Sequence, residues 1–350
     1  MIRLLTGLPY PSGLGEYVLH LCEWSGIPSE IYYWKPLTCS EYRHFPERRR
    51  TLFSETAYLA HMKLHERELA PQTHVTWEGF GPLFGRQTKL ITVHHVPSSH
   101  WFWREQMNHL RTSALYWAVR NGCRKIARLS VLAVVPSETT RLDFIKSFGA
   151  DEARVITIRH GIDSTFYTKV SQSTARTRLH LPIGSTITLS VGRDDLRKNV
   201  KTILRVVNSL QRKNQSHTHV HIGTSQVFMP GRHIRVFERV DPILMPLFYS
   251  SADLILAPSF QEGFCRPVLE AGACGTPAVV SDLPIFHEIL GPHCKGASPN
   301  STSELVSLVE ETLRNKEREG KEIQDWVRLN YSLKEFGIKY HRLYVSELST

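Results

Sequence analysis

The sequence lacks the signals that mark metal-bound, disulfide-rich or membrane-spanning proteins. Its six cysteines form no CxxC pair and no metal-ligand spacing, so we expect reduced thiols and no structural metal. No stretch approaches the roughly 20 uninterrupted apolar residues that cross a bilayer. The apolar run at 2–5 is too short for a signal peptide. These absences predict a cytoplasmic protein.

Repeats and dinucleotide-binding glycines are also missing. No period of about 20 to 50 residues recurs and no segment is low in complexity, which argues against solenoids and linker-rich architectures. No GxGxxG follows a predicted strand with an acidic residue about 20 positions later, which disfavours a nicotinamide-dependent oxidoreductase. No nucleic-acid recognition motif is present, and we predict no nucleic-acid partner.

Positive charge is in excess. Lys and Arg number 43 against 33 Asp and Glu, a formal net charge of +10, which attracts phosphate-bearing partners. Basic residues concentrate at 43–50 and 120–128. Each region is interpreted either as a solvated helix face or as a surface that binds an anionic acceptor or contacts an anionic membrane peripherally at its cytoplasmic face, and these interpretations stay open.

The length and the hydrophobic pattern predict two α/β domains. At 350 residues the chain suits two domains of about 150 residues each. Apolar runs of strand length alternate with amphipathic runs of helix length, which predicts parallel sheets covered on both faces. The predicted strands are 2–5, 30–34, 90–94, 130–135, 154–158, 186–191, 219–222, 234–237, 254–257 and 278–281, and the main predicted helices are 200–212, 243–251, 266–274 and 302–318.

The domain boundary is expected near residue 165. This divides the chain into a domain at 1–165 and a second domain at 166–326. The C-terminal helix, about 327–350, carries Trp326, Phe336, Tyr340 and Tyr344 near or within it. This apolar surface either packs back on the first domain or completes the second.

The strongest chemical signal is the segment PSFQEGFCRPVLEA at 258–271. It follows a predicted strand and leads into a helix with Pro267 in its first turn, which places the loop at the ligand-binding end of a parallel sheet. Glu262 and Glu270 can each accept two hydrogen bonds from vicinal sugar hydroxyls. Taken singly, Glu262 also suits a helix start and Glu270 a solvated helix face.

The two glutamates have seven residues between them, the first stands in the setting PSxxEGF, and AxxxGTP follows at 271–277. This pattern resembles that of glycosyltransferase family four. The resemblance is dense from about 155 to 289 and rests on short motifs before that. It implies two facing Rossmann-like domains of the GT-B type, with parallel sheets and an interdomain cleft. It also implies a retaining, metal-independent hexosyltransferase that uses a nucleotide-diphosphate sugar as co-substrate and no cofactor.

The same resemblance assigns donor-binding roles in this segment. Glu262 would contact hydroxyls of the donor hexose, and Glu270 would hold the ribose. Backbone groups of Gly263, Phe264 and Cys265 would reach the sugar. The family commonly has Gly-Leu where this chain has Cys265 and Arg266. The resemblance therefore predicts donor binding more firmly than it predicts which sugar the donor carries.

A second signal is SVGRDDLRKNV at 190–200, a strand, a loop and a helix start. An Arg and a Lys on such a loop can neutralise a diphosphate leaving group. The pattern is similar to the family's donor-phosphate motif, which implies that Arg193 and Lys198 bind the diphosphate. The alternative is that both cations are exposed beside a helix cap.

The first domain offers weaker matches to the family. Gly13 and Gly15 lie in a glycine-containing loop that would close over the donor, since glycine lets the backbone approach a phosphate. His94 ends a predicted strand and would contact the donor sugar or its phosphate, although strand-end histidines are often structural. A functional role for Ser137 is left open.

Two further features bear on specificity. The aromatic run HWFWR at 100–104 either lines the acceptor region, contacts a membrane surface or packs in the core. Glu238 stands where relatives often show a glycine beside the nucleobase, which leaves the base undetermined.

These observations predict transfer of a hexose-type sugar from a nucleotide-diphosphate sugar to an unidentified glycan, lipid-linked or small-molecule acceptor. The predicted catalytic residues are Glu262, His94, Arg193 and Lys198. Two alternatives use the same fold: a nucleotide-sugar epimerase or phosphorylase, and a degenerate protein that binds a nucleotide sugar without turnover.

Overall fold

The protein consists of two compact units. The computed structural model describes residues 2–6, 13–33, 49–51, 73–75, 90–94, 96–97, 110–129, 131–167, 170–194 and 196–348. Unit 1 comprises 1–161 together with 333–350, and unit 2 comprises 162–332. The chain thus enters unit 2 at Ile162, close to the boundary expected near residue 165. It returns to unit 1 at Leu333, six residues after the expected start of the last helix at about 327.

Unit 1 contains a parallel sheet with the strand order β3-β2-β1-β4-β5-β6-β7. The order reverses between β1 and β4, as in doubly wound folds. Its strands are β1 (Ile2–Thr6), β2 (Ser29–Tyr33), β3 (Arg49–Thr51), β4 (Thr73–Val75), β5 (Leu90–Thr92), β6 (Leu132–Val135) and β7 (Val155–Thr157). Its described helices are α1 (Gly13–Trp24), α2 (Leu110–Arg128), α3 (Glu138–Phe148) and α10 (Leu333–Leu348).

The C-terminal helix α10 is held in unit 1 by a buried hydrogen-bond cluster. The Tyr17 hydroxyl on α1 bonds Tyr340 of α10 and lies 2.9 Å from Thr92 Oγ1. His74 bonds Thr92 through Nε2 at 2.7 Å and Tyr344 through Nδ1 at 2.8 Å. Burial lowers the pKa of His74 to about 3, so the imidazole is neutral and can both donate and accept here.

Unit 2 contains a second parallel sheet with the strand order β10-β9-β8-β11-β12-β13. This order reverses between β8 and β11. Its strands are β8 (Thr186–Val191), β9 (His217–Ile222), β10 (Ile234–Phe237), β11 (Leu254–Ala257), β12 (Ala278–Ser281) and β13 (Gly296–Ala297). Its α-helices are α4 (Gln172–Arg178), α5 (Val200–Lys213), α6 (Met245–Ser251), α7 (Arg266–Ala273), α8 (Pro284–Leu290) and α9 (Thr302–Asn330).

Helix α9 is twelve residues longer than its predicted range. The predicted range ends at residue 318, two residues before Gly320, and glycine ordinarily weakens a helix interior. In the structure Gly320 lies against the backbone of Gly275, and a Cβ there would be 2.2 Å from the Gly275 carbonyl oxygen. The glycine is therefore required by a close helix contact and does not end the helix.

The start of β11 is fixed by a buried carboxylate. Asp253 Oδ2 accepts hydrogen bonds from Ile187 N at 2.7 Å and from an Arg176 guanidinium nitrogen at 2.9 Å. Lys316 of α9 contacts the other oxygen at 2.6 Å. Because Ile187 belongs to β8, Asp253 aligns the two strands that flank the reversal of the sheet.

A row of polar side chains crosses the buried face of β8 and β9. Thr188 Oγ1 lies 3.1 Å from His217 Nε2 and 2.9 Å from His219 Nδ1. Ser190 Oγ lies 3.0 Å from His219 Nε2 and 2.8 Å from His221 Nδ1. All five residues are at most 1% exposed. Each hydroxyl bridges two imidazoles, so we call this row the histidine ladder.

The histidine ladder makes unit 2 sensitive to acid. Burial lowers the pKa of His217 and His221 to about 4 and holds that of His219 well below its usual value. Because the unfolded histidines bind protons below about pH 6.5 while the folded ones do not, stability falls as the pH drops from about 6.5 towards 4.

We predict that His221→Gln loses less stability in acid than the wild type. Glutamine can still bond Ser190 but cannot titrate, so the decrease in unfolding free energy between pH 6.5 and 4 should shrink by roughly 3 kcal/mol. Urea unfolding at stepped pH measures this decrease. His233→Gln, outside the ladder, reports the effect of losing a histidine elsewhere, and an unchanged acid slope in His221→Gln would contradict the prediction.

Candidate functional site

Two loops meet at the reversal of the unit 2 sheet. One runs from the end of β8 to α5 and the other from the end of β11 to α7. The carboxyl ends of parallel strands on either side of such a reversal form the usual ligand-binding position of a doubly wound sheet. Helices α5 and α7 both begin there, and their N-terminal N–H groups suit phosphate and hydroxyl oxygens.

The loop after β8 packs directly against the loop after β9. Gly192 has a φ of 143°, and its N–H donates to Ile222 O at 2.8 Å. A Cβ on Gly223 would lie 2.1 Å from Gly192 O, so a larger residue cannot be placed without moving the loop. The backbone after β8 is therefore fixed by contact.

Asn199 ties the two loops together. It adopts a left-handed φ of 53°, a conformation that asparagine tolerates better than most residues. Its Nδ2 donates to Pro258 O at 2.9 Å and to Pro299 O at 2.8 Å. The Phe260 N–H also donates to Arg197 O at 2.7 Å. Backbone and side chain together hold the loops side by side.

Lys198 and Glu262 form an ion pair between these loops. Lys198 Nζ lies 2.7 Å from Glu262 Oε1, and the two side chains are 21% and 6% exposed. Ser259 Oγ donates to the same carboxylate oxygen at 2.8 Å. The structure thus brings together two residues that are separated by 64 positions in the chain.

Both partners of this pair are charged at neutral pH. Burial by itself would raise the pKa of Glu262, but Lys198, Arg197 and Ser259 outweigh it, and the pKa lies below the usual glutamate value. Burial would likewise lower the pKa of Lys198, but Glu262 raises it above the usual lysine value. The pair therefore presents a fixed cation and a fixed anion at the helix starts.

Cys265 immediately precedes α7 in a left-handed conformation, with a φ of 57°. The family pattern has a glycine here, the residue that adopts this conformation most readily, and in this chain a cysteine that is 7% exposed adopts it. Burial raises the pKa of its thiol, so the sulfur is protonated and is a weak nucleophile. The Phe264 side chain packs in the core, 5.8 Å from the Tyr331 ring, so only its backbone is available to a ligand.

Glu270 lies one helical turn beyond Arg266 on α7. Its Oε1 lies 3.1 Å from an Arg266 guanidinium nitrogen, and its Oε2 accepts a hydrogen bond from the Tyr249 hydroxyl at 2.8 Å. The Thr276 hydroxyl donates to Tyr249 O at 2.7 Å and so holds α6 in place. Tyr249 was missed by sequence analysis, because a buried tyrosine in an apolar helix carries no chemical motif.

The histidine ladder ends beneath the loops. His221 and Ser190 line the same small cavity as Lys198, Ser259 and Cys265. This cavity underlies the start of both helices. Arg193, predicted to bind the diphosphate with Lys198, is exposed on the loop after β8.

Four of the predicted site residues lie in unit 1: Gly13, Gly15, His94 and Ser137. Helix α1 begins at Gly13 and includes Gly15 in its first turn. His94 follows β5, and its ring lies edge-on to Tyr17 with centroids 4.8 Å apart. His160, which sequence analysis did not select, has its ring parallel to that of His94 at 5.9 Å.

Ser137 has a structural role as a helix cap. It caps α3, with Oγ accepting from the Thr140 N–H at 3.0 Å, and it is fully buried. Its functional role stays a prediction. The aromatic run at 100–104 and most of the basic region at 43–50 lie outside the described residues, and the basic residues at 120–128 lie on α2.

A family model described as glycosyl transferases group 1 matches residues 171–325. One relative, D-inositol 3-phosphate glycosyltransferase 2 of Catenulispora acidiphila, is 26% identical over 164 residues, which cover 40% of this chain and 37% of that protein. Another, the O-antigen chain mannosyltransferase RfbU of Salmonella typhimurium, is 48% identical over 65 residues, or 19% of this chain and 18% of that protein. These alignments span less than half the length of either relative.

The match to the group 1 model, 171–325, lies within unit 2, and we call this matched segment the group 1 domain. Solved structures match the chain along almost its whole length. HepE of Anabaena, in complex with UDP and glucose, aligns with a TM-score of 0.77 and 15% identity over 99% of each chain. Sucrose-phosphate synthase of Thermosynechococcus elongatus aligns with a TM-score of 0.76 and 17% identity over 99% of this chain and 98% of that one. The predicted GT-B fold is confirmed.

The group 1 domain contains all of the predicted residues from Arg193 to Glu270. Across the described part of the chain, no three His, Cys, Asp or Glu side chains are grouped as metal ligands, and no helix is long and apolar enough to cross a membrane.

We predict that Asn199→Asp destabilises the group 1 domain although the two side chains have nearly the same shape. The aspartate cannot donate to the Pro258 and Pro299 carbonyls and places negative charge against both of them. The unfolding free energy from urea titration at pH 7 should decrease by about 3 kcal/mol.

Asn214→Asp is the matched control for this prediction. The Asn214 side-chain oxygen accepts from Ser216 N at 3.0 Å and from Ser216 Oγ at 2.7 Å, and an aspartate keeps that acceptor. Its effect should stay within about 0.5 kcal/mol. Equal effects of the two substitutions would mean that Asn199 does not join the loops.

Proposed function

We propose that the protein is a retaining glycosyltransferase that moves a hexose from a nucleotide-diphosphate sugar to an acceptor. The observation that carries the proposal is the Lys198–Glu262 ion pair, set between two loops at the reversal of the sheet in a group 1 domain. It places a cation for the leaving group and an anion for sugar hydroxyls next to the starts of two helices. Structural relatives bound to UDP and UDP-glucose support a nucleotide-sugar donor.

Lys198 and Arg193 stabilise the leaving diphosphate in this mechanism. Cleavage of the glycosidic bond to phosphate leaves negative charge on the nucleoside diphosphate, and preformed cations lower the barrier most where that charge develops. Lys198 is held in position by Glu262, whereas Arg193 is exposed and can move onto the phosphates. These cations supply the neutralisation that some transferases obtain from a metal ion, so we propose that no metal or other cofactor is needed.

Glu262 positions the sugar. Lys198 and Ser259 both contact its Oε1, and the Cys265 thiol also hydrogen-bonds the carboxylate; because each oxygen accepts two bonds, a hydroxyl of the hexose can still donate to Oε2 without breaking the ion pair. Its depressed pKa keeps it an acceptor at neutral pH. We assign it positioning rather than covalent attack, and the neutral Cys265 thiol is also unsuited to attack.

Retention of anomeric configuration is proposed on the resemblance to glycosyltransferase family four. The sugar develops oxocarbenium character as the diphosphate leaves, and His94 of unit 1 would contact the sugar or its phosphate. Gly13 and Gly15 would approach the donor through the backbone at the start of α1. The acceptor is a glycan, a lipid-linked sugar or a small molecule. The excess of basic residues suits a cytoplasmic enzyme with peripheral contact to an anionic membrane.

The test is calorimetric titration with UDP, GDP and ADP, followed by turnover of the matching glucose and mannose nucleotides with candidate acceptors. We expect metal-independent binding of one nucleotide. Lys198→Gln, which keeps a hydrogen-bond donor beside Glu262 but removes the charge, should weaken that binding about 10-fold or more. Lys201→Ala, an exposed lysine on the first turn of α5, is the control and should bind as the wild type does.

Glu262→Gln separates sugar positioning from nucleotide binding. It should still bind the free nucleoside diphosphate, because Lys198 keeps its charge, and lose most of its turnover, since the amide is a poorer hydroxyl acceptor than a carboxylate. Full turnover in this variant would remove Glu262 from the mechanism. Nucleotide binding with no transfer to any acceptor would favour a binding protein, and turnover without an acceptor would favour an epimerase.

A further inference from the structure

Arg266 forms an ion pair with Glu270 inside the nucleotide-binding part of the proposed site. The guanidinium and carboxylate lie 3.1 Å apart on successive turns of α7, and their side chains are 11% and 8% exposed. The family pattern commonly has a leucine at this position. Removing both charges from water costs free energy. The pair is therefore not an ordinary surface ion pair, and its position calls for another explanation.

The two oxygens of Glu270 are oriented by different elements. Arg266 contacts Oε1 from within α7, and Tyr249 donates to Oε2 from α6. Tyr249 is itself fixed by the Thr276 hydroxyl bonding its carbonyl. The carboxylate is therefore preorganised before any ligand arrives, which reduces the ordering needed on binding.

The Arg266–Glu270 pair is complementary to vicinal hydroxyl groups. Each hydroxyl is both a donor and an acceptor, whereas a carboxylate only accepts and a guanidinium only donates through its five N–H bonds. A hydroxyl placed beside the pair can donate to Glu270 and accept from Arg266 at the same time. A leucine beside the glutamate would leave the hydroxyl's acceptor side without a protein partner.

We propose that Arg266 is a specificity-determining residue that, together with Glu270, recognises the ribose diol of the donor nucleotide. This inference rests on the proposed function, because it places the nucleotide at the start of α7. The ligand is a ribonucleoside diphosphate with both the 2′- and 3′-hydroxyls. A 2′-deoxyribonucleotide keeps the 3′-hydroxyl and loses the 2′-hydroxyl contact to the pair, and the loss of a hydrogen bond to charged groups is costly.

The test compares the dissociation constant of the nucleoside diphosphate that binds best, among UDP, GDP and ADP, with that of its 2′-deoxy form. For the wild type we expect the deoxy form to bind about 10- to 100-fold more weakly. In Arg266→Leu this ratio should fall below about threefold, mainly because the ribonucleotide binds less tightly. Arg266→Lys, which keeps a cationic donor, should retain part of the discrimination.

The ratio separates recognition from a structural role. If Arg266 only stabilised α7, Arg266→Leu would lower the melting temperature and leave the ratio at its wild-type value, which would overturn the inference. If Arg266 instead obstructed Glu270, the leucine variant would bind both nucleotides more tightly, which would also overturn it. If Arg266→Leu does not fold, Arg266→Met, which also lacks a cationic donor, takes its place, and a wild-type ratio in that variant is the same contradiction.

Failure of the inference is distinct from failure of the proposed function. If wild-type protein bound none of the three nucleoside diphosphates, the proposed function would fail first. If it bound one of them without distinguishing ribose from 2′-deoxyribose, the proposed function would stand and the role of Arg266 would not.

Discussion

The ion pair between Lys198 and Glu262 is the interaction on which the site depends. The two residues belong to different loops, and Glu262 also accepts a hydrogen bond from Ser259 of its own loop. A buried ion pair gains little over a well-packed apolar contact, yet it becomes costly when one partner is lost. Its position at a strand reversal, beside two helix starts, fits the ligand-binding role proposed for it better than a role in stability.

The surrounding polar groups make this arrangement possible. Asn199 bonds two carbonyls of distant loops, and Asp253 aligns the strands from which the loops leave. The histidine ladder brings hydrogen-bonded but uncharged side chains to the cavity beneath Lys198. Neutral imidazoles satisfy buried hydroxyls without adding positive charge under a site that already contains Lys198 and Arg193.

Sequence analysis predicted the second unit better than the first, for physical reasons. Strands such as β8 and β11 are runs of buried residues bounded by turns, and these patterns are visible locally. Strands β3 (RRT) and β4 (THV) contain one apolar residue between them, so no apolar run marks either strand, and both were missed. The end of α9 was misplaced because the role of Gly320 depends on Gly275, 45 residues earlier.

The same division applies to the site. Lys198 and Glu262 were selected because they match a known motif, and the structure shows that they are in contact. The roles of Asn199 and Tyr249 could not be predicted, since their partners lie far along the chain: Pro299 is 100 residues from Asn199, and Glu270 is 21 from Tyr249. Arg266 could be recognised from sequence only as a departure from the family pattern, and its pairing with Glu270 became evident from the helix.

A double-mutant cycle on Lys198 and Glu262 tests the central claim most directly. The unfolding free energies of the wild type, Lys198→Met, Glu262→Gln and the double variant would be measured in urea at pH 7. The account predicts a coupling energy of about 2 kcal/mol or more, because each single variant strands a buried partner that the double variant removes. Additive effects within about 0.5 kcal/mol would show that the pair does not join the loops and would contradict the account.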